Sequence, residues 1–144
     1  MTLLVDVLDE DGFEGADLGL VALPGVGDVG KNAVELLNEA NEAAPIVRFI
    51  HPGLTPLARL DEDGLLAPPH LLVKRIDLEG GASILTITGR GQPSESFQQH
   101  NFTTELLKHL SDSGVKEIIV LAGLMSAPDV KEAFAVATLS LIHI

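Results

Sequence analysis

Apolar residues fall along this chain in short blocks separated by Gly, Pro and acidic turns, and the spacing within each block predicts alternating strands and helices. Residues 3–8 and 18–23 are strand-type runs, parted by the acidic turn Asp9-Glu10-Asp11-Gly12. Val29, Ala33, Leu36, Leu37 and Ala40 then fall at i, i+4, i+7, i+8 and i+11, one stripe of a helix. Residues 45–50 (Pro-Ile-Val-Arg-Phe-Ile) predict a strand returning beside its predecessor, a β-α-β unit with a parallel pair. Pro52, Pro56, Pro68 and Pro69 surround Asp61-Glu62-Asp63-Gly64, which predicts a hairpin projecting from the sheet.

Residues 70–76 and 82–88 follow as strands, the second alternating and β-branched. Phe102, Leu106, Leu107 and Leu110 have helical spacing, Gly114 supplies a C-terminal stop, and the continuously apolar residues 117–121 predict a central strand. Pro128 opens a last predicted helix with Val130, Ala133, Phe134 and Ala137 on one face. This order predicts an α/β fold, a three-layer α/β/α domain on a largely parallel sheet.

The junction between the second strand and the first helix carries the densest candidate chemistry. Residues 23–32 read Leu-Pro-Gly-Val-Gly-Asp-Val-Gly-Lys-Asn. As Gly25-x-Gly27-x-x-Gly30 they match a dinucleotide fingerprint, and as Gly25-x-x-x-x-Gly30-Lys31-Asn32 they stop one residue short of a P-loop. The dinucleotide reading needs an acid about twenty residues on to hold the ribose hydroxyls, and that place holds Ile50-His51-Pro52. The P-loop reading needs a hydroxyl where Asn32 stands and a strand ending in Asp, whereas the candidate strands end Thr88-Gly89 and Ala122-Gly123. Asp28 is placed to cap the helix and to answer its positive end. Without either completing partner, the glycines read as a tight strand-to-helix turn needing positive φ and close helix-to-sheet packing.

Charge narrows the class of partner. Twenty-one acidic against nine basic residues give a net charge of −12, which opposes binding to nucleic acid or anionic membranes. The cations are scattered, and only Lys74 and Arg75 are adjacent. Apolar residues make up 46% and aromatics only 3%, so the core is expected to be built from Leu, Val, Ile and Ala. There is no cysteine, no basic leader and no apolar run of membrane-spanning length, and a cytoplasmic location is expected. The five histidines show no metal-ligand spacing, and no Gly-x-Ser-x-Gly elbow holds a serine near His100. Neither a metal, a cofactor nor a catalytic residue is assigned.

Residues 1–138 are expected to form a single domain that is incomplete at its C-terminus, because the chain stops within a predicted helix. Residues 139–144 (Leu-Ser-Leu-Ile-His-Ile) read like translated library adapter and are expected to be a non-native tail. A domain truncated there would leave apolar surface uncovered.

Four ordered landmarks resemble the archaeal branch of the proteasome assembly chaperone family. They are Pro24, Gly25, Gly27, Asp28, Gly30 and Lys31 opening the first helix; His51-Pro52 after the next strand; Thr88-Gly89 through Gln92-Pro93; and Leu121-Ala122-Gly123-Leu124 after the late strand. Arg90-Gly91 and Ala122-Gly123 depart from the turns expected there. The resemblance implies a phosphorylase/hydrolase-like fold without catalysis, oligomerisation, and a role in binding proteasome α-subunits. The other reading is a nucleotide- or phosphate-dependent enzyme, a ligase or nucleoside phosphorylase, using Gly25, Gly27, Gly30 and Lys31.

Overall fold

A computed structural model describes residues 3–54, 58–60, 63–130, 132 and 133. Eight strands and two helices follow in order: β1 (Leu4–Val7), β2 (Ala16–Ala22), α1 (Val29–Ala40), β3 (Ala44–Ile50), β4 (Arg59–Leu60), β5 (Leu66–Ala67), β6 (His70–Asp77), β7 (Ser83–Gly89), α2 (Ser96–Asp112) and β8 (Glu117–Val120). A single 3₁₀ turn, Val26–Asp28, leads into α1. The strands β4 and β5 form the predicted projecting hairpin, Arg59 pairing with Ala67 and Leu60 with Leu66; Asp61 and Glu62 at its tip lie outside the described residues.

The other six strands form one sheet in the order β1-β3-β6-β7-β2-β8. It is not largely parallel. The pairs β1/β3, β3/β6 and β6/β7 are antiparallel, and only β7/β2 and β2/β8 are parallel. Nor do β2 and β3 pair, although the ladder makes them co-directional: the hairpin β6–β7 is inserted between them. Leu78-Glu79-Gly80-Gly81 makes that hairpin, with the Leu78 amide donating to the Ala82 carbonyl at 2.8 Å and both glycines at positive φ. Two strands joined by so tight a turn must run antiparallel.

Side chains alternate across a strand, so β7 shows where the helices lie. Leu85 and Ile87 are fully buried in a cluster with Phe102, Leu106 and Leu110 of α2. Thr86, between them, donates from Oγ1 to Asn38 Oδ1 of α1 at 2.6 Å. The helices therefore cover opposite faces. Gly114 stops α2 as expected, at φ 99°, with the Val115 amide returning to the Leu110 carbonyl.

Three packing expectations need correction. Of the stripe Val29, Ala33, Leu36, Leu37 and Ala40, only Leu37 is half-buried and the rest are exposed (Val29 62%, Leu36 65%), while Gly30, Val34 and Asn38 are the buried positions of the helix. The apolar run at β8 is an edge strand among the described residues, with Ile119 at 48% and Val120 at 66% exposure. Pro128 and Asp129 form a turn, and no helix is present among the described residues from 128 to 133; Phe134, Ala137 and the tail 139–144 lie outside them.

Two side chains tie the α2 face and the β1–β2 turn to the sheet. Arg75 donates to the Gly12 and Glu14 carbonyls, to Ser83 Oγ and to Asp77 Oδ1. His109 sits edge-on to Phe13 and Phe49, at centroid distances of 5.9 and 5.1 Å. Burial pulls its pKa below the usual 6.5; the Asp112 carboxylate opposes this and the Lys108 ammonium adds to it. The unfolded ring thus binds a proton more readily than the folded one, and stability from this site, complete above pH 6.5, is lost as pH falls below it. Urea unfolding is expected to show a stability drop from about pH 7.5 to about pH 5 that is shallower in His109→Phe.

Candidate functional site

The ladder makes β3, β7, β2 and β8 co-directional, so the segments after their C-terminal ends emerge at one end of the sheet. Those segments are His51-Pro52, Gly89 to Pro93, Pro24 to Lys31, and Leu121 to Gly123. Landmarks far apart in sequence thus share one rim, the place where open α/β sheets commonly hold ligands.

Within the rim the glycines act differently from one another. Gly25 is extended (φ −164°) and a Cβ there would meet only the Leu23 carbonyl oxygen, at an ordinary contact distance of 4.0 Å. Gly27 at φ 63° is the position that requires glycine for its backbone. Gly30 is buried in the first turn of α1, where a Cβ would lie 2.4 Å from the Leu121 carbonyl oxygen. A Cβ on Gly123 would likewise lie 2.5 Å from the Val26 carbonyl oxygen. Two reciprocal close approaches therefore seat the turn and α1 against the segment after β8.

Asp28 does not cap α1. It occupies the N-cap position in the left-handed region (φ 50°, ψ 25°), and its side chain makes no capping bond to the helix. Its Oδ1 instead accepts from the Gly25 amide at 3.2 Å, while its own amide donates to the Gly25 carbonyl at 3.1 Å. The carboxylate closes the turn on itself, a conformation that Asp tolerates better than most side chains.

Lys31, Gln92 and Thr88 are also committed within the fold. Lys31 Nζ lies 2.5 Å from Glu35 Oε1, one helical turn on. Gln92 Nε2 donates to the Pro24 carbonyl at 3.0 Å, and Thr88 Oγ1 donates to the Ala22 carbonyl at 2.6 Å. Gly89 lets β7 pass close to β6, since a Cβ would lie 2.8 Å from the His70 carbonyl oxygen. The Pro93 carbonyl accepts from Gln99 Nε2 at 2.8 Å.

His51 and Pro52 belong to a separate part of the rim. His51 is buried, packs edge-on against Phe102 at 5.3 Å, and accepts at Nδ1 from the Gly53 amide at 2.9 Å. A neutral ring that accepts at Nδ1 carries its proton on Nε2, and that atom has no partner among the described residues. Pro52 is exposed in the turn that follows.

The turn and the β8 edge enclose a groove of about 250 Å³, whose walls include Val26, Val29, Val120 and Gly123. Val26, Val29 and Val120 are 46%, 62% and 66% exposed, and Leu124 and Met125 beyond them are 71% and 80% exposed. Sequence reasoning missed this apolar character. Its one signal was the valines interleaved with the glycines, which the motif readings passed over as variable positions. Among the described residues no group of His, Asp or Glu side chains is arranged to hold a metal, and no helix is long and apolar enough to cross a membrane.

Residues 19–140 match the PAC2 family. The fold is similar to that of PbaB from Pyrococcus furiosus, an archaeal proteasome activator, with a TM-score of 0.76 at 19% identity over 91% of this chain and 55% of that one. It is similar to PbaA from the same organism, an archaeal homolog of proteasome-assembly chaperone, with a TM-score of 0.62 at 22% identity over 91% of this chain and 53% of that one. A PAC2 family protein from Streptomyces avermitilis aligns with a TM-score of 0.59 at 21% identity, over 76% of this chain and 50% of that one. This chain thus spans about half the length of the solved structures it resembles. No curated protein is significantly similar to it.

The close approaches predict unequal costs for the same substitution. Gly30→Ala is expected to lower unfolding free energy by about 1–3 kcal/mol, because its methyl must push backbone rather than side chain. Gly25→Ala, whose Cβ would meet only the Leu23 carbonyl oxygen at 4.0 Å, is expected to change it by under about 1 kcal/mol. Denaturant titration of both variants checks the contrast.

Proposed function

The chain belongs to the PAC2 family, and from that premise we propose that it is a non-enzymatic assembly factor that binds proteasome α-subunits. The observation that carries this reading is the outward-facing apolar stripe of α1, Val29 and Leu36 with the small Ala33 and Ala40, continuous with Val26 and Val120 at the groove. An apolar helix face of this kind on a strongly acidic protein is what a protein contact requires. The motif turn, with Pro24, Gly25, Gly27, Asp28, Gly30, Lys31, Gln92 and Gly123, shapes one end of that surface. His51, Pro52, Gly89 and Pro93 complete the rim beside it. Self-association into an oligomer through the same family of contacts, a cytoplasmic location and a phosphorylase/hydrolase-like layering belong to this reading.

The enzymatic reading gains nothing from the geometry. Lys31 is drawn to Glu35, the Gly25 amide is occupied by Asp28, and the Gln92 amide is bonded to Pro24. A phosphate cradle needs these donors directed outward together.

Co-elution with proteasome α-subunits on size exclusion tests the proposal. The chain is expected to travel with the α-subunits, and Val29→Glu with Leu36→Glu is expected to weaken the complex at least about tenfold, the scale of an interface hot spot. Because both side chains are already exposed, the melting temperature should stay nearly unchanged. No co-elution at any salt concentration, or co-elution unaffected by the paired substitution, would contradict it.

A further inference from the structure

The side of α1 opposite its apolar stripe borders a second concavity. A cleft of about 750 Å³ lies between the C-terminal half of α1, the β4–β5 hairpin and the exposed ends of β6 and β7. Its volume falls within the range of ligand pockets, about 300–1,000 Å³.

Its charges are arranged unlike those elsewhere on the chain. Of the eight described cations, five are ion-paired: Lys31 with Glu35, Arg48 with Asp6, Arg75 with Asp77, Lys108 with Asp112 and Lys116 with Asp17. The three described cations without an ion pair, Arg59, Lys74 and Arg90, all line this one cleft. In a chain with more than twice as many acids as bases, three cations in one place without an ion pair among the described residues are not what nearest-neighbour charge balance produces. Glu39 of α1 and Glu42 in the turn after it also line the cleft, likewise without ion pairs among the described residues. No ion pair among the described residues joins the acids of the cleft to its three bases.

A polar side chain in the cleft wall adds an independent observation. Asn38 is 5% exposed, and its Oδ1 is taken by the Thr86 hydroxyl. Its amide NH₂ has no hydrogen bond within the described structure, and the residue lines the cleft. Only one buried polar side-chain atom among the described residues lacks a partner, and it is His51 Nε2, so the Asn38 amide is a donor group open to the cleft and available to an acceptor bound there.

We propose that this cleft binds a short peptide segment carrying both carboxylate and ammonium groups, with its acids against Lys74, Arg90 and Arg59, its bases against Glu39 and Glu42, and a backbone carbonyl on the Asn38 amide. A purely anionic ligand would be opposed by the two glutamates, and a purely cationic one by the three bases. Only a mixed-charge segment satisfies both walls. The proposal does not rest on the assembly reading, since the cleft lies on the other side of α1.

The test is an NMR titration of the ¹⁵N-labelled chain with three blocked hexapeptides: alternating Glu-Lys, all-Glu and all-Lys. The alternating peptide is expected to shift the Asn38 side-chain amide signals saturably. The paired variants Lys74→Met/Arg90→Met and Glu39→Gln/Glu42→Gln are each expected to weaken it about fivefold, the scale of partly exposed charge pairs. Lys116→Ala, in an ion pair remote from the cleft, should leave it unchanged. Retained amide dispersion in each variant separates lost binding from lost fold. The proposal is overturned if no peptide gives a saturable shift at millimolar concentration, or if all-Glu binds as well as the alternating peptide and ignores the glutamate variants.

Discussion

The rest of the rim depends on a steric constraint: α1 begins so close to the segment after β8 that neither Gly30 nor Gly123 has room for a Cβ. Backbone contact of this closeness is available only where one of the two residues lacks a side chain. The contact has two sides, Gly30 against Leu121 and Gly123 against Val26, so it fixes the turn as well as the helix. Gly27 at positive φ and the Asp28 carboxylate on the Gly25 amide then give the chain a route from β2 into that position.

Once Gly30 is turned inward, helical geometry determines the other faces of α1. Val34 and Asn38 follow Gly30 at intervals of four and point at the sheet, where Asn38 meets Thr86. Val29, Ala33, Leu36 and Ala40 are carried outward on one side, and Glu35 and Glu39 toward the cleft on the other, where Glu42 joins them from the turn after the helix. One short helix therefore presents an apolar surface and a charged wall in different directions. The assignment of one to a protein partner and the other to a mixed-charge segment follows from that division of faces.

Much of this was readable along the chain, and the exceptions have physical causes. Strand positions, both helices, the projecting hairpin and the Gly114 stop follow from local periodicity and turn chemistry, which local residues determine. Sheet order does not: the insertion of β6–β7 between β2 and β3 is a long-range choice. The α1 stripe misled because hydrophobic spacing finds an apolar face without saying whether the core or a partner covers it. A glycine contact was the stronger constraint, and glycine contributes nothing to a hydrophobic pattern. Likewise β8 reads as buried on both faces yet forms an edge among the described residues. The cleft was illegible because Arg59, Lys74 and Arg90 are distant in sequence, and their significance is that they lack partners, which only the fold reveals.

The central claim is that residues 23–32 form a packing joint rather than a phosphate cradle. Calorimetric titration of the chain with ATP and with inorganic phosphate tests it most directly. The account predicts no saturable heat from either at millimolar concentration, because the Gly25 amide is bonded to Asp28 and the Lys31 ammonium to Glu35. Saturable heat that disappears in Lys31→Gln would contradict it and restore the nucleotide reading.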